Sequence, residues 1–119
     1  MVHIIVAEEE EALRTLLKTI IKRISPTYTV STASNGQRAL RAYQKSGADL
    51  IISDYKMPAM TGPELVRTLR ARGVTVPIVM ASGDPGAEKE CYEAGATLFV
   101  EKMNLIRELP EILSRFLPS

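Results

Sequence analysis

Short apolar runs alternate along this chain with longer stretches in which apolar residues recur every three or four positions. The runs predict strands over about His3 to Ala7, Tyr28 to Ala33, Asp49 to Ser53, Val76 to Ala81 and Thr97 to Val100. Most are apolar at consecutive positions, as expected of strands covered on both faces. The stretches between and after them predict five helices, and that alternation specifies a parallel α/β sheet with right-handed crossovers.

Helix punctuation supports the division. Asn35 is placed to cap the second helix and Gly47 to follow it, while Thr61-Gly62-Pro63-Glu64 combines a hydroxyl cap, an early proline and a capping-box glutamate. Gly73 is expected to end the third helix, Asp84-Pro85 to open the fourth and Gly95 to close it. In the first helix, Ala12, Leu13, Leu16, Leu17, Ile20, Ile21 and Ile24 form a stripe expected to pack on the core. Arg14, Lys18 and Lys22 form a row on its other side, expected to be solvated, with docking of an acidic partner as the alternative. Pro110 interrupts an apolar face made by Leu109, Ile112, Leu113 and Phe116, so the last helix is expected to begin near Leu109 or to kink there.

Composition narrows the function. At 119 residues the chain is expected to form one domain with no effector domain attached. Fifteen Lys and Arg against 14 Asp and Glu give a net charge of +1, with no long-range attraction to nucleic acid or an anionic membrane. Cys91 is the sole cysteine and is expected to be a buried packing residue; His3 is expected to lie on a surface strand. With no leader, no disulfide and no membrane-length apolar run, a cytoplasmic location is expected.

The chemistry concentrates at the ends of the apolar runs. Glu8-Glu9 closes the first, Asp54 the third and Lys102 the fifth, and in an open parallel sheet the carboxyl ends of the strands face one crevice. Carboxylates suit a hard divalent cation, an ammonium suits a phosphoryl group, and Asp54 is itself a candidate acceptor. The set predicts a phosphorylation switch.

In order along the chain, Ile4-Ile5-Val6-Ala7-Glu8-Glu9, the segment LIISDYKMPAMTG from Leu50 to Gly62, Val79-Met80-Ala81-Ser82-Gly83, Gly95-Ala96 with Phe99, and Glu101-Lys102 together resemble the receiver domain of two-component response regulators. The resemblance covers the whole chain. It implies the flavodoxin/CheY-like (βα)5 fold with strand order 2-1-3-4-5, and Asp54 as the residue phosphorylated by a sensor histidine kinase, a histidine phosphotransfer protein or a small phosphodonor. It further implies Mg2+ held by Glu9, Asp54 and the backbone carbonyl of Lys56, with Glu8 acting through water. Phosphoryl oxygens would be bound by Ser82, Gly83 and Lys102. Ser82 and Phe99 would form the switch that reshapes the surface of the fourth helix, fifth strand and fifth helix for a downstream target. Lys56 and Asp84 occupy the positions that tune phosphate lifetime in relatives, and their opposite charges suggest a bridge over the site and slow dephosphorylation. The chain would then be no enzyme beyond its own phosphorylation and dephosphorylation.

Two departures set further expectations. The family usually has Asp-Asp or Glu-Asp where this chain has Glu8-Glu9, and each added methylene moves a carboxylate by about 1 Å, so metal binding is expected to be weakened or rearranged. Lys102 is followed by Met103 in place of a cis proline, and a cis bond there would cost roughly 2.5 to 4 kcal/mol. A trans bond is therefore expected, with some displacement of Lys102. These departures motivate the alternative of a receiver-like interaction module that works without phosphorylation. Flavin binding is disfavoured because the glutamates after the first strand would repel a phosphate, and an aspartate-based phosphatase because Lys56 stands where a general acid belongs. Homodimerisation is left open.

Overall fold

A computed structural model of the chain describes residues 1–118. Strands β1 (His3–Ala7), β2 (Thr29–Ala33), β3 (Leu50–Asp54), β4 (Ile78–Ser82) and β5 (Leu98–Glu101) alternate with helices α1 (Glu11–Ile24), α2 (Gly36–Ser46), α3 (Gly62–Ala71), α4 (Glu88–Ala94) and α5 (Leu105–Phe116). The strands form one sheet in the order β2-β1-β3-β4-β5, with every pair parallel. Fold class and strand order are as the sequence implied.

Both faces of the sheet are covered, which explains the unbroken apolar runs. Ile4 and Val6 of β1, Leu50 and Ile52 of β3, and Val79 and Ala81 of β4 join α1 and α5 in one core. Their neighbours Ile5, Ala7, Ile51, Ile78 and Met80 point the other way, into a core with residues of α2, α3 and α4. Period-two geometry sends alternate side chains to opposite faces, so a strand buried between two layers of helix must be apolar throughout.

The caps form largely as expected. Asn35 accepts the Arg38 amide, Thr61 and Glu64 complete a reciprocal capping box, and Gly95 closes α4 in the left-handed region at φ 113°. At Asp84-Pro85 the expectation needs correction: these residues lead into a 3-10 turn over Pro85–Ala87, and α4 itself starts at Glu88. The α1 stripe is narrower than expected. Leu17 and Ile21 are buried and Leu13 and Ile20 partly so, whereas Ala12, Leu16 and Ile24 are exposed, because seven apolar positions span a wider arc than the sheet can cover.

The largest correction concerns Pro110. Helix α5 begins at Leu105, well before the proline, and runs on to Phe116 with Pro110 inside it. The missing amide frees the carbonyl of Ile106, and both residues are exposed, so water can take the place of the lost bond. Meanwhile Leu105, Leu109, Ile112 and Leu113 are all buried on one face. Four apolar burials, each worth roughly 1.5 to 3 kcal/mol, outweigh a proline penalty of about 3 kcal/mol.

Glycine matters most where α3 abuts the sheet. A Cβ on Gly62 would lie 2.4 Å from the carbonyl oxygen of Asp54 and 2.3 Å from Met80 Cε, while one on Gly83 would meet nothing within 4 Å. Gly62→Ala is expected to lower the urea stability by about 1 to 3 kcal/mol through overpacking, and Gly83→Ala to leave it within about 0.5 kcal/mol. Equal midpoints for the two variants would show that the α3 start yields without cost.

Candidate functional site

The register of the sheet brings the strand ends level. Ala7 pairs with Ser53, Asp54 with Ala81, and Ser82 with Glu101. Glu8, Asp54, Ser82 and Lys102 therefore emerge together at the carboxyl edge, beside the point where β1 separates β2 from β3 and the strand order reverses. The crevice there measures about 570 Å3 and is lined by Glu8, Glu9, Asp54, Lys56, Ser82, Gly83, Asp84 and Lys102, with Glu10 and Tyr55.

Lys102 organises the crevice. Its Nζ lies 2.8 Å from Asp54 Oδ2 and 3.1 Å from Glu8 Oε1. The remaining carboxylate oxygens are also bonded: Asp54 Oδ1 accepts the Tyr55 amide at 2.9 Å, and Glu8 Oε2 accepts the Glu10 amide at 2.8 Å. Asp54 is 7% exposed and Glu8 3%. Two buried carboxylates thus share one ammonium. Burial, reinforced by the charge of Glu8, raises the Asp54 pKa against the opposing pull of Lys102. Burial also works against the charged form of Lys102, but its bonds to Asp54 and Glu8 outweigh that and hold its pKa up.

Other expected residues surround this triad. Ser82 is buried and its Oγ accepts the Asp84 amide at 3.0 Å, leaving Gly83 exposed beside it. Phe99 is half-buried, packed on the α2–α3–α4 side of the sheet, and its amide donates to the hydroxyl of Tyr92 at 3.0 Å. Glu9 is exposed on the rim, so the carboxylate drawn inward is that of Glu8.

The Lys102–Met103 bond is trans as expected, a 3-10 turn over Lys102–Asn104 follows the strand directly, and Met103 is turned out to solvent at 86% exposure. Other expectations are corrected. Lys56 and Asp84 form no ion pair; among the described residues the ion pairs are the two made by Lys102. The Asp84 carboxylate instead accepts the Gly86 amide at 2.8 Å, a local bond worth more than an exposed pair. The basic row of α1 is not a free face. Arg14 donates to the carbonyls of Glu8 and Glu9, and Lys22 to those of Pro26 and Tyr28. Cys91 is buried as expected, and burial pushes its thiol pKa up to about 11.

Sequence reasoning overlooked the role of Arg14. A cation near a helix N-terminus opposes the macrodipole, and helical side chains lean back toward that terminus, so an arginine four residues after the cap was a signal. It also overlooked Tyr55, whose hydroxyl donates to Glu90 of α4 and ties the residue after Asp54 to the neighbouring helix.

A hard divalent cation suits these donors. The side chains are carboxylates, and the buried part carries two of them against one ammonium. No group of three potential metal-ligating side chains is gathered among the described residues. Magnesium does not require one, since it keeps several waters and uses one or two carboxylates together with phosphate oxygens.

The raised Asp54 pKa has a consequence for stability. As pH rises through the ordinary value of 3.8, the unfolded chain gives up this proton before the folded protein does, so folding is penalised above that pH. Asp54→Asn, neutral throughout, is expected to unfold at a higher urea concentration than the wild type at neutral pH and to lose that advantage on acidification below 3.8. An advantage independent of pH would contradict the assignment.

Comparison with known proteins identifies the family. A family model described as the response regulator receiver domain matches residues 4–114. The two-component response regulator ORR41 of Oryza sativa subsp. japonica is 33% identical over 120 residues, covering 98% of this chain and 94% of that protein. Sensory transduction protein RegX3 of Mycolicibacterium smegmatis is 31% identical over 111 residues; the match covers 92% of this chain but 47% of RegX3, so the chain spans about half of that relative. Among solved structures, chemotaxis protein CheY4 of Vibrio cholerae superposes with a TM-score of 0.87 at 30% identity, covering 98% of this chain and 99% of that one. The response regulator TrrA of Thermotoga maritima, solved in complex with Mg2+-BeF, gives a TM-score of 0.86 at 28% identity and covers 98% and 100%. With the model match extending over nearly its whole length, the chain belongs to the response regulator receiver domain family.

Proposed function

We propose that Asp54 is the phospho-acceptor of a signalling switch, supplied by a sensor histidine kinase, a histidine phosphotransfer protein or a small phosphodonor. The observation that carries this reading is the Lys102 ammonium at 2.8 Å from a buried Asp54 carboxylate at the mouth of an open crevice. A carboxylate oxygen attacks phosphorus, the P–N bond of a phosphohistidine or the P–O bond of acetyl phosphate breaks, and the electron pair leaves on imidazole or acetate. Lys102 keeps one phosphoryl oxygen paired. Ser82 and Gly83 line the same crevice, and their hydroxyl and amide would bond the others. Glu9, Asp54 and the Lys56 carbonyl would hold Mg2+, with Glu8 reaching it through water. When bound, the ion offsets the negative charge that attacking carboxylate and phosphoryl group bring together.

The output follows from the same contacts. The Ser82 hydroxyl, which accepts the Asp84 amide, can donate its own proton to a phosphoryl oxygen once the side chain turns inward. Its inward turn opens space behind β4 on the side where Phe99 is packed, and Phe99 can move into it. That would alter the α4–β5–α5 surface presented to a downstream protein. Lys56 and Asp84 stand separately on the rim, so any control of the attacking water is exerted by each alone.

Incubation with acetyl phosphate and Mg2+ is expected to add one phosphoryl mass to the wild type and none to Asp54→Asn, read by intact mass. Beryllofluoride with Mg2+ should shift the amide resonances of Tyr55, Ser82 and Phe99 together. A protein silent in both assays would be a receiver-shaped interaction module.

A further inference from the structure

The acidic loop between β1 and α1 is tied to β2 by the Glu8 amide on the Ala33 carbonyl, and the carbonyls of Glu8 and Glu9 are held by a side chain. Arg14 Nη1 donates to the Glu8 carbonyl at 2.8 Å and to the Glu9 carbonyl at 3.1 Å. Two consecutive peptide groups are thereby fixed to one guanidinium, and their orientation sets the direction in which the side chains of Glu8 and Glu9 leave the backbone. The other side of the loop is fixed by the Glu10 amide on Glu8 Oε2. Glu10 has no side-chain cap bond at the start of α1, and its carbonyl accepts the Arg14 amide.

The guanidinium touches neither Asp54 nor Lys102. Its bonds go to backbone oxygens facing away from the crevice, and Arg14 is absent from the crevice lining. We infer that Arg14 is a positioning residue for the cation site: it locks the Glu8–Glu9 backbone so that Glu9, on the exposed rim, is held toward the crevice. This inference rests on the phosphorylation reading above. Groups that orient ligands from behind typically govern metal affinity by about 10- to 100-fold.

The test is a Mg2+ titration of the full chain, followed by the amide resonances of residues 8–10 and 54–56, with amide exchange at Glu10 measured in the metal-free protein. Arg14→Ala is expected to weaken Mg2+ binding by roughly tenfold and to speed exchange at Glu10. At saturating Mg2+ its phosphorylation by acetyl phosphate should return to near the wild-type rate. Arg14→Lys, with a donor on a shorter stem, should recover part of the affinity. It also serves if the alanine variant fails to fold. Lys22→Ala removes the comparable carbonyl contacts at the other end of α1, and it should lower stability while leaving Mg2+ affinity unchanged. Wild-type affinity in Arg14→Ala, or an equal loss in Lys22→Ala, overturns the positioning role. A wild type that neither binds Mg2+ nor takes up phosphate overturns the phosphorylation reading instead.

Discussion

Two carboxylates competing for one ammonium is the constraint around which this fold is arranged. A buried charge without a partner is costly, so Glu8 and Asp54 can be enclosed only if Lys102 reaches both. The sheet makes that demanding: β5 is separated from β3 by β4, and adjacent strands lie about 4.8 Å apart. A lysine at the end of β5 must stretch across the end of β4 to arrive at β3 and β1. Its four-carbon stem supplies the length, and the small residues Ser82 and Gly83 at the end of β4 leave the way open. The longer glutamate at position 8 meets it partway, at 3.1 Å.

That arrangement remains short of positive charge. One ammonium balances one carboxylate, and burial, reinforced by the charge of the second carboxylate, keeps the Asp54 pKa raised. A site in this state favours any arriving cation and disfavours a bare phosphate. Of the Glu8-Glu9 pair, Glu8 is drawn to Lys102 and Glu9 is left at the rim.

Much of this was legible in the chain. Strands sandwiched between two helical layers must be apolar at successive positions, so β1, β3 and β4 stand out, and polar residues at their ends mark the crevice directly. The α5 start was misread because local propensity at Pro110 was given more weight than the four burials on its face, which depend on tertiary packing. Arg14 and Lys22 were hidden for a related reason. A regular row of cations looks solvated in one dimension, and only the folded loops bring carbonyls within its reach. Tyr55 and Glu90 lie 35 residues apart and meet through a contact with no local signature.

The hydroxyl of Tyr92 on the Phe99 amide bears on how other proteins can approach. β5 is the last strand on its side of the sheet, and an outward amide on such a strand invites a foreign chain to extend the ladder. Here α4 already occupies that donor with one of its own side chains. At Phe99 the border is thereby closed to an added strand. The same tyrosine that closes the border also ties β5 to the helix above, so a shift of the Phe99 backbone, though not a turn of its side chain, would loosen one from the other.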